Sequence, residues 1–575
     1  MMRSRPPLTT STLILALSLL AACDSTPSGP VGPPESCDET EPILIGPGES
    51  VTLHGSLAGL LCIEGSASAG EYLAIAVAAT TNSLLSFTVI PRNTVRVSRP
   101  IAAPARTPQQ LHVEGLLPDD RLPNDRFHLE LRELEQRELS HRVRVGGASE
   151  DFPRRSPRAP IPREGDLLQL NAQAANACEE PSYRTGRVEA ISERAIVVAD
   201  TENPSGGFDA SDFRHLAATF DTLIAPLAER NFGQPTDLDG NGRTIIFFTK
   251  EVNRLTDPGS ASFTAGFFFS RDLFPRTDTP RFAGCAHSNE GEIIYLLVPD
   301  PTGEVGGNVQ ERHFVQHIMP AIMIHEYQHL INAARRLHHL QLRNWEERPW
   351  LNEALSHIAE ELLFFETSGL EPGGRISFST LQAAGLQAFQ AIDRHQRFNL
   401  LRYHQFLEDP EENSPYNDEV QPALATRGAA WNFLRYSADR RGGDQVDFFN
   451  GLVSAPEVGI DKLATALGGR PTFDQWLSDW STANLASDRV ARVTEWHRHP
   501  SWNFRSLFGP VTGLSRDPTP IIPLTAGSPE SRHLTGGGAA YLRFGVGAGE
   551  EASLEFRSGD DAPPATFRVT VLRTR

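Results

Sequence analysis

At 575 residues the chain is too long for one hydrophobic core, and its 39% hydrophobic and 22% charged residues are those of a globular protein of about three domains. A formal net charge of −19 excludes nucleic acid as a partner, because phosphates would repel so acidic a surface. Nearly all the positive charge is arginine; the lysines are Lys250 and Lys462 alone.

The N-terminus places Arg3 and Arg5 before an apolar run over residues 13–20 and then small residues. That pattern is a secretion signal over residues 1–22, too short to cross a bilayer as a helix in its own right. Leu20-Ala21-Ala22-Cys23 resembles the bacterial lipobox, which implies a lipidated Cys23 and an exported protein held on the periplasmic or cell-surface side of a membrane. Each methylene buried by such an anchor contributes about 0.8 kcal/mol. Residues 23–36, rich in Pro, Gly and Ser, read as a tether. With Cys23 set aside, Cys37, Cys62, Cys178 and Cys285 suit two disulfides; three connectivities are open, and proximity favours Cys37–Cys62 and Cys178–Cys285.

From 37 to 145, short alternating stretches such as "SVTLHGSL" and "YLAIAVAA" between Gly, Pro, Asn and Ser suggest an N-terminal β-sandwich-like domain. Residues 146–165 carry Pro and Arg without apolar periodicity and read as a linker, with arginines that would suit processing. Residues 166–500 combine buried-strand patterns ("ERAIVVAD", "RTIIFFT", "EIIYLLVPD") with helical ones, an α+β domain. Residues 501–575 return to strand patterns and are expected to form a separate C-terminal β domain. The expected architecture is therefore multi-domain, an α+β unit flanked by two small β-sandwich-like ones.

"AIMIHEYQHLINAA" carries the chemistry. On a helix His325 and His329 stand one turn apart on one face and can share a metal ion, while Glu326 sits beside the first, angled off the metal axis, and can take a proton. Pro320 would suit that helix's first turn. A zinc site needs a third protein ligand and one corner left for water. The continuation with Gly and His after the pentapeptide fails, since Asn332 and Arg335 stand there. "WLNEALSHIAEEL" instead offers Glu353 within Asn-Glu-x-x-Ser, 24 positions beyond His329.

Together "IMIHEYQHLIN", "WLNEALSHIAEEL", "TDLDGNGRTIIFFT" and "SNEGEIIYLLVPD" resemble the hyicolysin-type bacterial metallopeptidases, a gluzincin-like group, over about 165–443. The resemblance implies a zincin-like fold, one Zn2+ held by His325, His329 and Glu353, Glu326 as general base, and protein or peptide substrates. His357 stands where relatives have an acidic residue that orients a zinc histidine, and Glu360 is the substitute one turn on. Ala425 replaces a transition-state tyrosine, leaving Tyr403, His404, Tyr416 and Arg427 as oxyanion-donor candidates. Asp237, Asp239 and Asn241 begin like a Ca2+ loop, but Phe248 occupies the position of its closing glutamate, which favours a simple turn. His338 and His339 read as solvated helix-end residues. The rival reading is a cell-surface binding or adhesion lipoprotein that uses a peptidase fold as scaffold.

Overall fold

The protein is seen in a computed structural model that describes residues 36–39, 41–81, 83–97, 122–123, 125–144, 160–260, 262–416 and 424–575. The signal, Cys23, the tether up to residue 35 and most of the 146–165 linker lie outside the described residues. Among the described residues no helix is long and apolar enough to cross a membrane.

The first strands are β1 (Ile43–Leu44), β2 (Ser50–His54), β3 (Leu60–Glu64), β4 (Gly70–Ala78), β5 (Leu85–Arg92) and β6 (Leu122–Pro123). Next come β7 (Leu167–Asn171), β8 (Tyr183–Ile191), β9 (Ala195–Asp200), β10 (Thr244–Phe248), β11 (Ser262–Phe263), β12 (Gly266–Phe268) and β13 (Ile293–Leu296). The last are β14 (Ile522–Pro523), β15 (Glu530–Leu534), β16 (Ala539–Val546), β17 (Glu551–Arg557) and β18 (Phe567–Arg573). Of the helices, five build, cover or support the site: α1 (Asp125–Leu139), α2 (Arg312–Ala334), α3 (Pro349–Ser368), α4 (Leu424–Arg441) and α5 (Arg470–Ala486).

The two terminal β segments, expected as separate domains, are halves of one sandwich. Its sheets run β1-β3-β17-β5-β15 and β14-β16-β4-β18-β2, so β17 lies between β3 and β5, and β4 between β16 and β18. The reason is burial. Neither segment has enough strands to cover two sheet faces alone, and interleaving supplies each strand with a neighbour on both sides. Cys37–Cys62 staples the N-terminal end to β3, and Cys178–Cys285 joins two loops of the α/β unit.

The alternation along β4 shows how the sandwich is seated. Tyr72, Ala74, Ala76 and Ala78 face the sandwich core, while Leu73, Ile75 and Val77 face the larger core of the α/β unit, against α5. Burial on both faces is why "YLAIAVA" is a continuous apolar run. Each of those three outward side chains contributes on the order of 1.5–3 kcal/mol by leaving water. Tyr541 Oη donates to the Ser481 carbonyl at 2.8 Å across the same contact.

The α/β unit is built on the sheet β12-β13-β10-β9-β8-β7, in which β9, β10 and β13 are parallel and β12 is an antiparallel edge. Helix α2 lies against β12 and β13 and against the helix Ala225–Phe232. It is apolar on all sides and buried from Phe314 to Ala334 apart from Gln316, His317 and Pro320. The helix begins at Arg312, so Pro320 lies in its interior, not its first turn; surrounding core packing compensates for the missing amide.

Residues 125–139, placed by sequence in the β-sandwich, form α1 instead. "DRFHLELRELEQREL" holds no Gly or Pro, has an Arg126–Glu130 pair one turn apart at 2.7 Å, and buries Leu131, Leu134 and Leu139 in the α/β core. This helix belongs to the α/β unit.

Because β14–β18 complete sheets begun by β1–β5, truncation after residue 516 should leave the protein insoluble or without a cooperative thermal transition. A melting temperature equal to that of the full chain would show that the C-terminal strands are an independent domain after all.

Candidate metal centre

Helix α2 sets His325 and His329 four residues apart, and their Nε2 atoms approach to 3.2 Å inside the protein. Helix α3 brings Glu353 to them: its carboxylate oxygens lie 3.4 Å from His325 Nε2 and 3.5 Å from His329 Nε2. Three ligand atoms bound tetrahedrally at zinc's usual distances are separated by about 3.3–3.4 Å. The His325–His329 separation is close to that edge, each imidazole has one oxygen of the Glu353 carboxylate at a similar distance (Oε2 for His325, Oε1 for His329), and the donor set of two imidazoles and one carboxylate suits zinc. Glu353 Oε1 is buried with no hydrogen-bond partner among the described residues, a lone-pair donor aimed at the common point.

The remaining nitrogens of the rings are engaged. His325 Nδ1 pairs with Glu360 Oε1 at 2.6 Å, which holds that ring with Nε2 pointing inward, and Ser356 Oγ packs against the His329 ring, 3.1 Å from Nδ1 and 3.4 Å from Nε2. Glu360 takes the orienting role that the sequence pattern left to it. It also meets His357 Nδ1 at 3.2 Å and accepts from Asn399 Nδ2 at 3.0 Å.

Asn352 and Ser356 sit one turn apart on the face of α3 that meets α2. Asn332 Nδ2 donates to Asn352 Oδ1 at 2.7 Å, and Ser356 Oγ donates to Gln328 Oε1 at 2.7 Å. These two bonds fix the register of the helices. Arg427, from α4, donates to Glu353 Oε2 at 2.7 Å from a fully buried position and leaves Oε1 for a metal.

Glu326 lies beside His325, only 2% exposed, with Oε2 lacking a hydrogen-bond partner among the described residues. Burial pushes its carboxyl up to about 7, against the attraction of His325. Burial lowers His329, whereas His325 is raised to about 10 because its hydrogen bonds to Glu353 and Glu360 outweigh the same burial.

Of the oxyanion-donor candidates, Arg427 alone is placed at the donors. Tyr403 Oη donates to Asn484 in a separate aromatic core, and His404 Nε2 meets the Ser515 carbonyl. Tyr416 Oη donates to the Thr80 carbonyl of the sandwich, while its ring lines a groove of about 580 Å3 that begins at His329 and Asn332. His339 is exposed as expected, but His338 is buried with Nε2 at 3.0 Å from the Leu273 carbonyl, and burial lowers it to about 3. The Asp237–Asp239–Asn241 loop closes as Asx turns onto the amides of Gly242, Asn241 and Arg243, and Glu292 lies within reach of its two aspartates. Sequence reasoning missed His128 and Arg132, which α1 carries to the metal centre. The Leu131/Leu134 spacing and the Arg–Glu pairs of that stretch were the available signal.

No protein-family model matches the chain. Over 149 residues it is 30% identical to the neutral metalloprotease ShpI of Staphylococcus hyicus, a match covering 26% of this chain and 30% of that relative. The similarity supports a metallopeptidase relationship over that stretch, and the chain matches less than a third of the relative's length.

Glu360→Gln is expected to retain the fold by circular dichroism and to lower zinc affinity by about 10- to 100-fold in competition with a chelator. Unchanged affinity would show that Glu360 does not orient His325.

Proposed function

We propose that the protein is an extracytoplasmic zinc-dependent endopeptidase of zincin-like fold, held to a bacterial membrane through lipid on Cys23. The observation that carries this reading is the set of buried donor separations, 3.2, 3.4 and 3.5 Å, among His325, His329 and Glu353, with Glu326 alongside. A zinc ion bound there supplies Lewis acidity and lowers the pKa of water toward about 7.

The protein's own residues do the rest. Glu360 and Ser356 hold the imidazoles, and Arg427 holds the Glu353 carboxylate. Glu326 Oε2 removes a proton from the attacking water and later delivers it to the leaving amine nitrogen. A carboxyl pushed to about 7 is suited to both transfers near neutral pH. A groove of about 580 Å3, walled on one side by α1, reaches His329. A binding protein that merely kept the fold would have no need of this donor spacing, nor of a buried, unpaired carboxylate oxygen beside it.

Glu326→Gln should keep stoichiometric zinc while casein or peptide cleavage falls by about 10^2–10^4-fold. Glu353→Ala should lose the zinc. A fully active Glu326→Gln, or stoichiometric zinc in Glu353→Ala, would overturn the assignment.

A further inference from the structure

A peptidase that acts on proteins must admit a polypeptide to its metal, yet here the donors are closed off. His325, Glu326, His329 and Glu353 are 6%, 2%, 1% and 0% exposed. The cavity beside His325 and Glu326 holds about 30 Å3, room for roughly one or two water molecules and not for a peptide. One wall of that cavity is His128, from α1.

We propose that α1 is a built-in cover for the metal centre, seated where a substrate backbone would lie, with His128 over the coordination corner that hydrolysis needs open. The proposal rests on the peptidase reading above. It describes a latent state of the enzyme, from which α1 must leave before a substrate enters.

Three sets of contacts carry it. First, His128 is 7% exposed, its ring centre is 6.1 Å from that of His325, and its Nδ1 has no partner among the described residues. The rings of His325 and His329 stand 4.8 Å apart, so His128 lies just outside the ligand set, sharing a small cavity with His325 and Glu326.

Second, α1 reaches the free edge of the sheet through a side chain. β12 is an edge strand, the kind of element to which an extended peptide adds, and its three residues are buried here. Arg132 donates to the Phe268 carbonyl at 2.6 Å, and Glu135 accepts from Ser270 N and Oγ just beyond. Immediately before α1, β6 pairs with β11 at the same rim.

Third, α1 is fastened and yet separable. Arg142 donates to the Gly284 carbonyl, Arg144 pairs with Asp278, and Val143 bridges Phe282. None of these contacts is a rung of the six-stranded sheet, so departure of α1 leaves that sheet paired, at the cost of exposing Leu129, Leu131, Leu134 and Leu139. Departure does not release the N-terminal strands either, because β4 stays between β16 and β18.

The test compares the full chain with His128→Ala and with Arg132→Ala/Arg142→Ala, zinc content being measured first. Dipicolinate should strip zinc about tenfold or more faster from either variant than from the wild type, and a quenched fluorescent peptide should be cleaved correspondingly faster, as expected when a mostly closed state is opened. Equal zinc-loss rates in folded wild type and variants would overturn the cover. So would loss of turnover in His128→Ala with zinc retained, which would make His128 part of the machinery. Should the variants fail to fold, the wild type decides: a peptide hydroxamate bound to its zinc should raise amide exchange across residues 125–144, and binding without that change overturns the proposal. Absence of zinc from the wild type would remove the peptidase reading itself, and the cover with it.

Discussion

Everything at the metal centre depends on the register between two buried helices. Sliding α3 along α2 by one residue would turn Glu353 by about 100° away from the histidines. It would also strand the Asn332–Asn352 and Gln328–Ser356 groups in a dry interface, at about 1–3 kcal/mol for each unsatisfied polar group. Apolar packing alone would not forbid such a slip, because α2 is hydrophobic on every side. The polar residues flanking Glu353 in Asn-Glu-x-x-Ser are therefore the clamp that makes a metal-sized gap out of a helix crossing.

The charges follow the same logic. Glu326, Glu353 and Glu360 are carboxylates enclosed in one small volume, where ionised groups are costly unless countered. Arg427 answers one oxygen of Glu353, and the two imidazoles with a divalent cation answer the rest. The guanidinium also orients the carboxylate. Oε2 accepts from Arg427 and lies 3.4 Å from His325 Nε2, which leaves Oε1 facing His329 at 3.5 Å.

What the sequence revealed and what it concealed divide by range. That His325 and His329 share one helix face, with Glu326 beside them, was legible from helical periodicity alone, whereas Glu353 lies on another helix and was put with them by the resemblance. The disulfide partners followed from proximity. The interleaved sandwich was not legible: β17 finds its place between β3 and β5 only through contacts several hundred residues apart, and no local pattern encodes such a neighbour. Pro320 misled because proline statistics favour first turns, and tertiary burial overrode them. His338 misled because the dipole argument speaks only to the helix end, while the ring is drawn against Leu273 by packing. α1 was overlooked for a different reason. It lies between β-rich neighbours, and their pattern hid the helical signal of its own leucines and charge pairs.

The order of the chain gives the cover a particular character. α1 stands between β5, locked in the sandwich, and β7, locked in the α/β sheet, and the sandwich itself is seated on α5 through β4. In the proposed latent state, a helix tied at both ends to the rest of the protein stays at high effective concentration beside its own docking surface even when displaced. A substrate of such an enzyme competes with α1 on each turnover, and weakly bound peptides lose that competition while long ones with many contacts win it. Cutting one connection would reduce the advantage without abolishing it, because the interleaved strands keep the severed part attached. Selectivity for extended, multiply contacting chains then follows from connectivity, without any pocket specialised for a particular side chain.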